Sequence, residues 1–403
     1  MEKEHTYSWG EGVFTLLSWF KTEKVKNSKV LVVGAGALGN EVVKNLALFG
    51  VGNIVVVDFD TIELSNLTRS VLFREEDAIN ESFKAEVVAK RAMEINPQIN
   101  VMPICGDLST DVGLGLYKEM DVIIACLDSR YARYLLNAVA FRAGKPWVDG
   151  AIENLDGTVR VFKPGVNCYE CGLTAAEFDN IMLKTGCADV VKTNFSHGRI
   201  ATTPVSASII GAVEVQEALK LIHEDGDDKH LKVSLLGKMF KYEGERAVSK
   251  IFKFEAYNSD CPAHEDWTNT TEIADLSADT KIEDVLTILK QSLHVEQAEI
   301  NMRNNKFVEK IITKTDEKEF SVMLPLSQVE KFIDNHKELS VLRYKDILFQ
   351  KFYENIDDYF PYKELSLREI GIPYFDILQV STEKGIFYVT LAKDKVRFKE
   401  ILK

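Results

Sequence analysis

The sequence predicts an α/β protein, with a doubly wound parallel sheet in its longer N-terminal part and a smaller α+β unit behind it. Three observations carry that expectation. The apolar, β-branched run Lys29–Val33 enters a glycine turn, Gly34-Ala-Gly-Ala-Leu-Gly39, which leads into a helical pattern over Asn40–Phe49 and a second strand at Ile54–Asp58. That is one βαβ unit. The alternation continues with a helix at Lys84–Ile95 and a strand at Val122–Cys126 that ends in Leu127-Asp128-Ser129. Strands alternating with helices form parallel sheets whose ligand crevice lies at the carboxyl ends of the strands. Past about residue 270 the pattern changes to shorter strands mixed with charges around one clear helix, Ile282–Leu293.

Size supports the same division. A chain of 403 residues exceeds the usual core of about 100–200 residues. The polar stretch Thr268-Asn269-Thr270-Thr271 reads as a linker, giving one domain over residues 1–268 and a second over 272–403, in which 320–360 reads as an insertion. Val205–Ile222 carries small and apolar residues at helical spacing and is expected to be a largely buried helix. A hydrophobic content of 46% with 28% charged residues excludes extensive disorder. The net charge of −13 excludes a non-specific binder of nucleic acid or anionic membrane, since both need a cationic surface, and favours a protein partner. No signal peptide and no stretch of about 18 uncharged apolar residues is found, so a cytoplasmic location is expected. In a reducing compartment the six cysteines point to metal or thiol chemistry before disulfides.

Gly34, Gly36 and Gly39 form G-x-G-x-x-G between a strand and a helix, which brings backbone amides and a helix N-terminus to a phosphate. Asp58, at the end of the second strand, suits a ribose. These residues alone fit a dinucleotide-binding dehydrogenase equally well. The following segment decides for ATP: Asp58, Asp60, Asn66, Arg69 and Arg74 stand beside the loop, and Lys84 opens the next helix. Hydride transfer has no use for so many cations, whereas attack on an α-phosphorus does.

The run from Val32-Val-Gly-Ala-Gly-Ala-Leu-Gly39 through Asp60-Thr-Ile-Glu-Leu-Ser-Asn-Leu-Thr-Arg69, Lys84-Ala-Glu86, Asn96-Pro97 and Leu127-Asp128 closely resembles ubiquitin-activating enzymes. It equally resembles their relatives, the molybdopterin- and thiamine-pathway adenylyltransferases. The likeness extends over roughly Lys29–Glu265 and implies a Rossmann-like adenylation domain. It implies that Asp58 holds the ribose, Asn66 and Arg69 the phosphates, Lys84 the α-phosphate and Asp128 a Mg²⁺ ion. Arg69, Lys84 and Asp128, through its Mg²⁺, would then stabilise charge building at the α-phosphorus, and a C-terminal carboxylate, ionised at neutral pH, would need no side-chain base. The sequence departs from the family in three places. Ser70 replaces the usual Gln, two extra residues precede Lys84, and no Arg occurs before Arg69. The N-terminal arginine finger that many relatives donate across a dimer is therefore missing, so that Lys21, Lys24 or Lys26 substitutes or a related subunit supplies it, in a homodimer or a heterodimer.

Cys168-Tyr-Glu-Cys171 and Cys261-Pro-Ala-His264 are two short ligand pairs, and three thiolates with one imidazole make a closed structural zinc site. Relatives have C-x-x-C at both places. Cys187 lies where the shorter ubiquitin-like-protein activators keep a thioester-forming cysteine, within a loop placed at 174–205, and Lys184, Lys192, His197 or Arg199 would lower its pKa. Leu276–Leu289 and Leu365–Val380 resemble the β-grasp, ubiquitin-fold domain that recruits a conjugating enzyme. The leading expectation is an activator of a ubiquitin-like protein: adenylation, capture on Cys187, and transfer to a conjugating enzyme. A sulfur-carrier adenylyltransferase that stops at the acyl-adenylate is the enzymatic rival, and a non-catalytic partner of an active homologue the third reading. No cysteine follows Cys261, which counts against an appended sulfur-transfer domain.

Overall fold

The computed structural model describes residues 13–186, 201–224, 232–233, 235–253, 257–303, 305–342 and 346–402. The N-terminal part runs α1 (Thr22–Asn27), β1 (Lys29–Val33), α2 (Ala37–Phe49), β2 (Asn53–Val57), α3 (Glu75–Ile79), α4 (Lys84–Ile95), β3 (Asn100–Ile104), α5 (Leu114–Glu119), β4 (Val122–Ala125), α6 (Arg130–Ala143), β5 (Trp147–Glu153) and β6 (Asp156–Phe162). It continues through α7 (Ala175–Gly186), α8 (Pro204–Ile222), β7 (Lys238–Glu243) and β8 (Val248–Lys253). These strands form one eight-stranded sheet in the order β3-β2-β1-β4-β5-β6-β7-β8. The pairings from β3 to β5 are parallel and those from β5 to β8 antiparallel.

The side-chain period of two assigns each strand to two cores at once. In β1, Val30 and Val32 join the core with α2, α4 and α8, while Leu31 and Val33 join the core with α5 and α6. Both faces are covered, which explains why this strand reads as an unbroken apolar run. The order 3-2-1-4-5 reverses direction between β1 and β4, and the crevice of a doubly wound sheet opens at that switch point. Helix α2 begins at Ala37, three residues earlier than the periodicity indicates, because Gly36 serves as its N-cap. The helix over 204–222 is buried along most of its length and starts on a Thr203/Ser206 capping box with Pro204 at its first position. Among the described residues, no helix is long and apolar enough to cross a membrane.

The remaining elements are β9 (Thr271–Ile273), α9 (Ile282–Leu293), β10 (Glu299–Asn301), β11 (Phe307–Thr313), β12 (Glu319–Pro325), α10 (Leu326–Asn335), β13 (Ile347–Tyr353), β14 (Asn355–Ile356), β15 (Ile377–Thr382), β16 (Gly385–Leu391) and α11 (Lys399–Leu402). A mixed five-stranded sheet, β14-β10-β15-β16-β9, shares a core with α9. A separate three-stranded sheet, β12-β11-β13, packs with α10 around its own small core and begins in sequence at Phe307. The five-stranded unit is seated on the main sheet's α5 side. Phe375 and Ile377 enter the core of Leu31 and Val33, and the Leu114 amide donates to Asp376 Oδ1 at 2.8 Å. Approach is so close that a Cβ on Gly113 or Gly115 would lie 2.2 Å from the Tyr374 carbonyl or 2.4 Å from that of Phe375.

Candidate functional site

The glycine loop sits at the switch point, and each of its glycines does something different. Gly34 takes φ +97°, open to glycine alone at no cost, and a Cβ there would lie 2.4 Å from the Cys126 carbonyl at the end of β4. A Cβ on Gly39 would lie 2.0 Å from the Gly34 carbonyl, so α2 could not come down onto the loop. A Cβ on Gly36 would meet nothing within 4 Å. Gly36 therefore faces open space at the start of a thirteen-residue helix, where amides and the helix dipole favour an anion.

Asp58 is the first residue past β2. Its Oδ2 accepts from the Ala35 amide at 2.7 Å and its Oδ1 from the Asp60 amide at 2.8 Å, which ties the carboxylate to the loop. Burial pushes the carboxyl up from its ordinary value, while the Lys84 charge and the two amides pull it down. Lys84 is held in place: its Nζ bonds Asp60 Oδ2 at 2.5 Å, its backbone amide bonds the Asp60 carbonyl, and its side chain is 12% exposed. Asn66 caps a short 3₁₀ turn through the Glu63 amide, and Arg69 Nη1 donates to the Ser65 carbonyl at 2.9 Å. Among the described residues no carboxylate pairs with Arg69. Asp128 is exposed just beyond β4, close enough for its charge to act on Arg133. Ser70, at the position of the family's Gln, is buried, and its Oγ has no partner among the described residues.

The structure thus brings Gly34, Gly36, Gly39, Asp58, Asp60, Asn66, Arg69, Lys84 and Asp128 to one end of the sheet. It places Lys21, Lys24 and Lys26 at the other. They belong to or adjoin α1, which packs at the amino ends of β1 and β2, where a Cβ on Gly52 would strike the Lys26 carbonyl at 1.6 Å. A five-residue strand separates α1 from Gly34, about 17 Å at the usual rise of about 3.3 Å per residue. None of the three lysines therefore stands beside its own chain's glycine loop. Cys187, with Lys192, His197 and Arg199, lies outside the described residues.

Residues that sequence reading overlooked lie beneath the site. Arg133 is buried and donates from Nε to Asp149 Oδ1 at 2.6 Å and from Nη2 to the Leu127 and Gly150 carbonyls at 2.5 and 2.9 Å, which clamps the loop after β4 to strand β5. Arg160 pairs with the other Asp149 oxygen at 2.5 Å. The signal was present: Arg133, Leu136, Asn137 and Ala140 recur at helical spacing on the buried face of α6.

The donor atoms of Cys168, Cys171, Cys261 and His264 lie within 4.8 Å of one another, and the donors around one tetrahedral zinc stand roughly 3.8 Å apart. The residues fit such an ion. His264 is stacked between Phe141 and Tyr257, with ring centroids at 4.4 and 4.7 Å, and its Nε2 is 3.4 Å from Cys171 Sγ. The Asn137 amide donates to Cys168 Sγ and the Asn258 backbone to Cys171 Sγ, both at 3.2 Å, the outer-shell support that orients thiolate ligands. Burial pushes the Cys168 and Cys261 thiols up, to about 11 and about 12, so holding them as thiolates requires a cation in direct contact.

A glycine loop at a switch point, a carboxylate beside it and cations around it define a doubly wound α/β protein with an anion-accepting loop. The ThiF family model matches residues 13–263, and the chain belongs to that adenylyltransferase family. It is 31% identical over 262 residues to a sulfur carrier protein adenylyltransferase of Thermus thermophilus, covering 64% of this chain and 89% of that one. It is 42% identical over 153 residues to the NEDD8-activating enzyme E1 catalytic subunit of Schizosaccharomyces pombe, covering 36% of this chain and 34% of that one. The match to a Dictyostelium discoideum SUMO-activating enzyme subunit 2 covers 22% of that protein at 36% identity. The chain therefore matches only about a third or less of these two activating-enzyme subunits. Among solved structures, E. coli MccB with ATP superposes at a TM-score of 0.51 with 22% identity over 66% of this chain and 75% of that one, a likeness of fold.

Proposed function

We propose that this chain uses ATP to adenylate the C-terminal carboxylate of a ubiquitin-like protein, then takes the protein as a thioester on Cys187 and passes it to a conjugating enzyme. The observation that carries the first step is the open face of Gly36 beside Asp58 and an Arg69 that meets no carboxylate among the described residues. A loop kept bare on one side and a cation that meets no carboxylate among the described residues together suit a triphosphate.

The step balances simply. A carboxylate oxygen bonds to the α-phosphorus, the bond from that phosphorus to the bridging oxygen breaks, and pyrophosphate leaves with the electron pair. In this reading Asp58 orients the ribose, Asn66 and Arg69 bind the phosphates, and Lys84, exchanging Asp60 for phosphate, meets charge growing at the α-phosphorus. Asp128 would hold a Mg²⁺ ion, which supplies electrostatic stabilisation of the phosphates. Cys168, Cys171, Cys261 and His264 would hold a structural zinc, fastening the segment after β8 to the one after β6.

Leu64 and Val71, within five residues of Arg69 in the chain, are exposed apolar residues, which supports a dimer at this end, with a second copy or a related subunit completing the site. Division at about residue 270, and a β-grasp-like role for the C-terminal unit in recruiting a conjugating enzyme, belong to the same proposal. Its support is a single helix on a mixed sheet.

A second reading has its own support: the sulfur carrier protein adenylyltransferase is matched over 89% of its length, and such an enzyme would stop at the acyl-adenylate. Two assays separate them. Pyrophosphate exchange into ATP should depend on a ubiquitin-like protein with a free C-terminus. A reducible adduct on a non-reducing gel, absent from Cys187→Ala, supports the thioester; exchange without any adduct supports the sulfur-carrier reading. No exchange with any ubiquitin-like protein leaves the non-catalytic partner.

A further inference from the structure

Asn40 is wholly buried in the first turns of α2, where its poor helix propensity gives it no local reason to be. Every hydrogen-bonding position it uses is directed at the nucleotide site. Its Nδ2 donates to the Ala35 carbonyl at 2.8 Å and to the Gly36 carbonyl at 2.9 Å, and its Oδ1 accepts from the Leu72 amide at 2.9 Å. Two consequences follow from elementary geometry. In a trans peptide the carbonyl and the amide hydrogen of the same plane point in opposite directions. Holding the Ala35 and Gly36 carbonyls against Asn40 therefore turns the Gly36 and Ala37 amides away from it, on the residue whose outer face is open. Leu72, in turn, lies three residues past Arg69, on an arm whose own turns are closed by Arg69 N to Asn66 O and Phe73 N to Ser70 O. One side chain thus spans the phosphate loop and the arginine arm.

We infer that Asn40 is a positioning residue for the triphosphate: it turns the loop amides outward and sets the distance between the loop and Arg69. The inference rests on the adenylation reading above and deepens it. Because Asn40 acts on groups that meet phosphate, its loss should weaken ATP and spare the nucleoside.

The test uses the full chain, with MgATP titrated by calorimetry and adenosine followed by ligand-observed NMR. Asn40→Ala should weaken MgATP about tenfold or more and leave adenosine within about twofold. Asn40→Asp should lose at least as much, because its carboxylate would face two carbonyl oxygens. Val43→Ala, which removes buried methyls from the same helix, controls for loss of stability and should leave MgATP affinity unchanged. Asn40→Ala binding MgATP like the native chain, or losing ATP and adenosine equally, overturns the inference alone. A native chain that does not bind MgATP overturns the nucleotide reading, and the inference falls with it.

Discussion

At the carboxyl ends of β1 and β4, Gly36 opens onto space, Arg69 meets no carboxylate among the described residues and Asp128 stands exposed. At the seam under the C-terminal unit the reverse holds: Asp376 is buried, accepts the Leu114 amide and pairs with Arg303, while Trp267 stacks on Tyr388 at 4.6 Å beneath Arg142. Both regions present charged groups beside the same sheet. They differ in whether their charges are paired among the described residues: Asp376 has Arg303, whereas Arg69 and Asp128 form no ion pair. Satisfied groups contribute to folding and have little left for a ligand, whereas groups held without partners cost some stability and keep their interaction energy for binding.

That contrast is sharpest at the Cys/His cluster, which closes the seam three residues before Trp267. If zinc completes it, stripping the ion with a chelator, or Cys171→Ser, should have the largest effect on stability of any change considered, since structural zinc contributes on the order of 10 kcal/mol in small domains. Metal analysis should find about one zinc per native chain, and melting should fall steeply on its loss. A native chain that holds no zinc would move the cluster out of the satisfied class.

Asp376→Ala probes the seam itself. It leaves the Arg303 charge and the buried Leu114 amide without their acceptor, a loss of about 3 kcal/mol in denaturant unfolding, with MgATP affinity unchanged. A loss of nucleotide binding in that variant would show that the two regions are not separable. Arg69→Ala should behave in the opposite way. Pyrophosphate exchange should drop about a hundredfold, while unfolding free energy stays within about 0.5 kcal/mol. Substantial destabilisation would mean that Arg69 is already satisfied within the chain.

The same distinction governs what was legible in the sequence. The strand–glycine turn–helix unit with Asp58 beside it, the helices at 84–95 and 282–293 and the closeness of the two Cys/His pairs were readable, because each depends on a local spacing that fixes backbone geometry or ligand reach. The seam was not. Asp376 meets Leu114 across 262 residues, and no local pattern encodes a contact that depends on how two units pack. Asn40 and Arg133 fall between the two. They are polar residues on buried helix faces, a signal that periodicity carries, but one that says only that a partner exists and not which. The N-terminal lysines were placed by analogy with a finger residue, and the topology assigns them to the far end of the sheet because α1 leads directly into the amino end of β1.

That far end supplies the smallest and most selective test, since it is a satisfied site that pH alone can open. His223 follows α8, donates from Nδ1 to the Leu219 carbonyl and accepts the Lys21 backbone amide on Nε2 at 3.1 Å. Only the neutral ring can do both. Burial pushes its pKa down from the ordinary value, the Leu219 carbonyl opposes that shift, and the charges of Lys24 and Lys21 add to it. In the unfolded chain the imidazole takes its proton at about 6.5, so below that pH the unfolded state binds more protons than the native one. Stability from this contact is therefore fully present above pH of about 6.5 and is lost as pH falls toward the lower native value. Unfolding free energy, measured stepwise below neutrality, should show that decline, and His223→Ala should be less stable at neutral pH with the decline reduced. MgATP affinity should not follow the same curve, because α1 and the glycine loop occupy opposite ends of β1. A shared pH profile would join the two ends, and the separation between satisfied and open regions would fail there first.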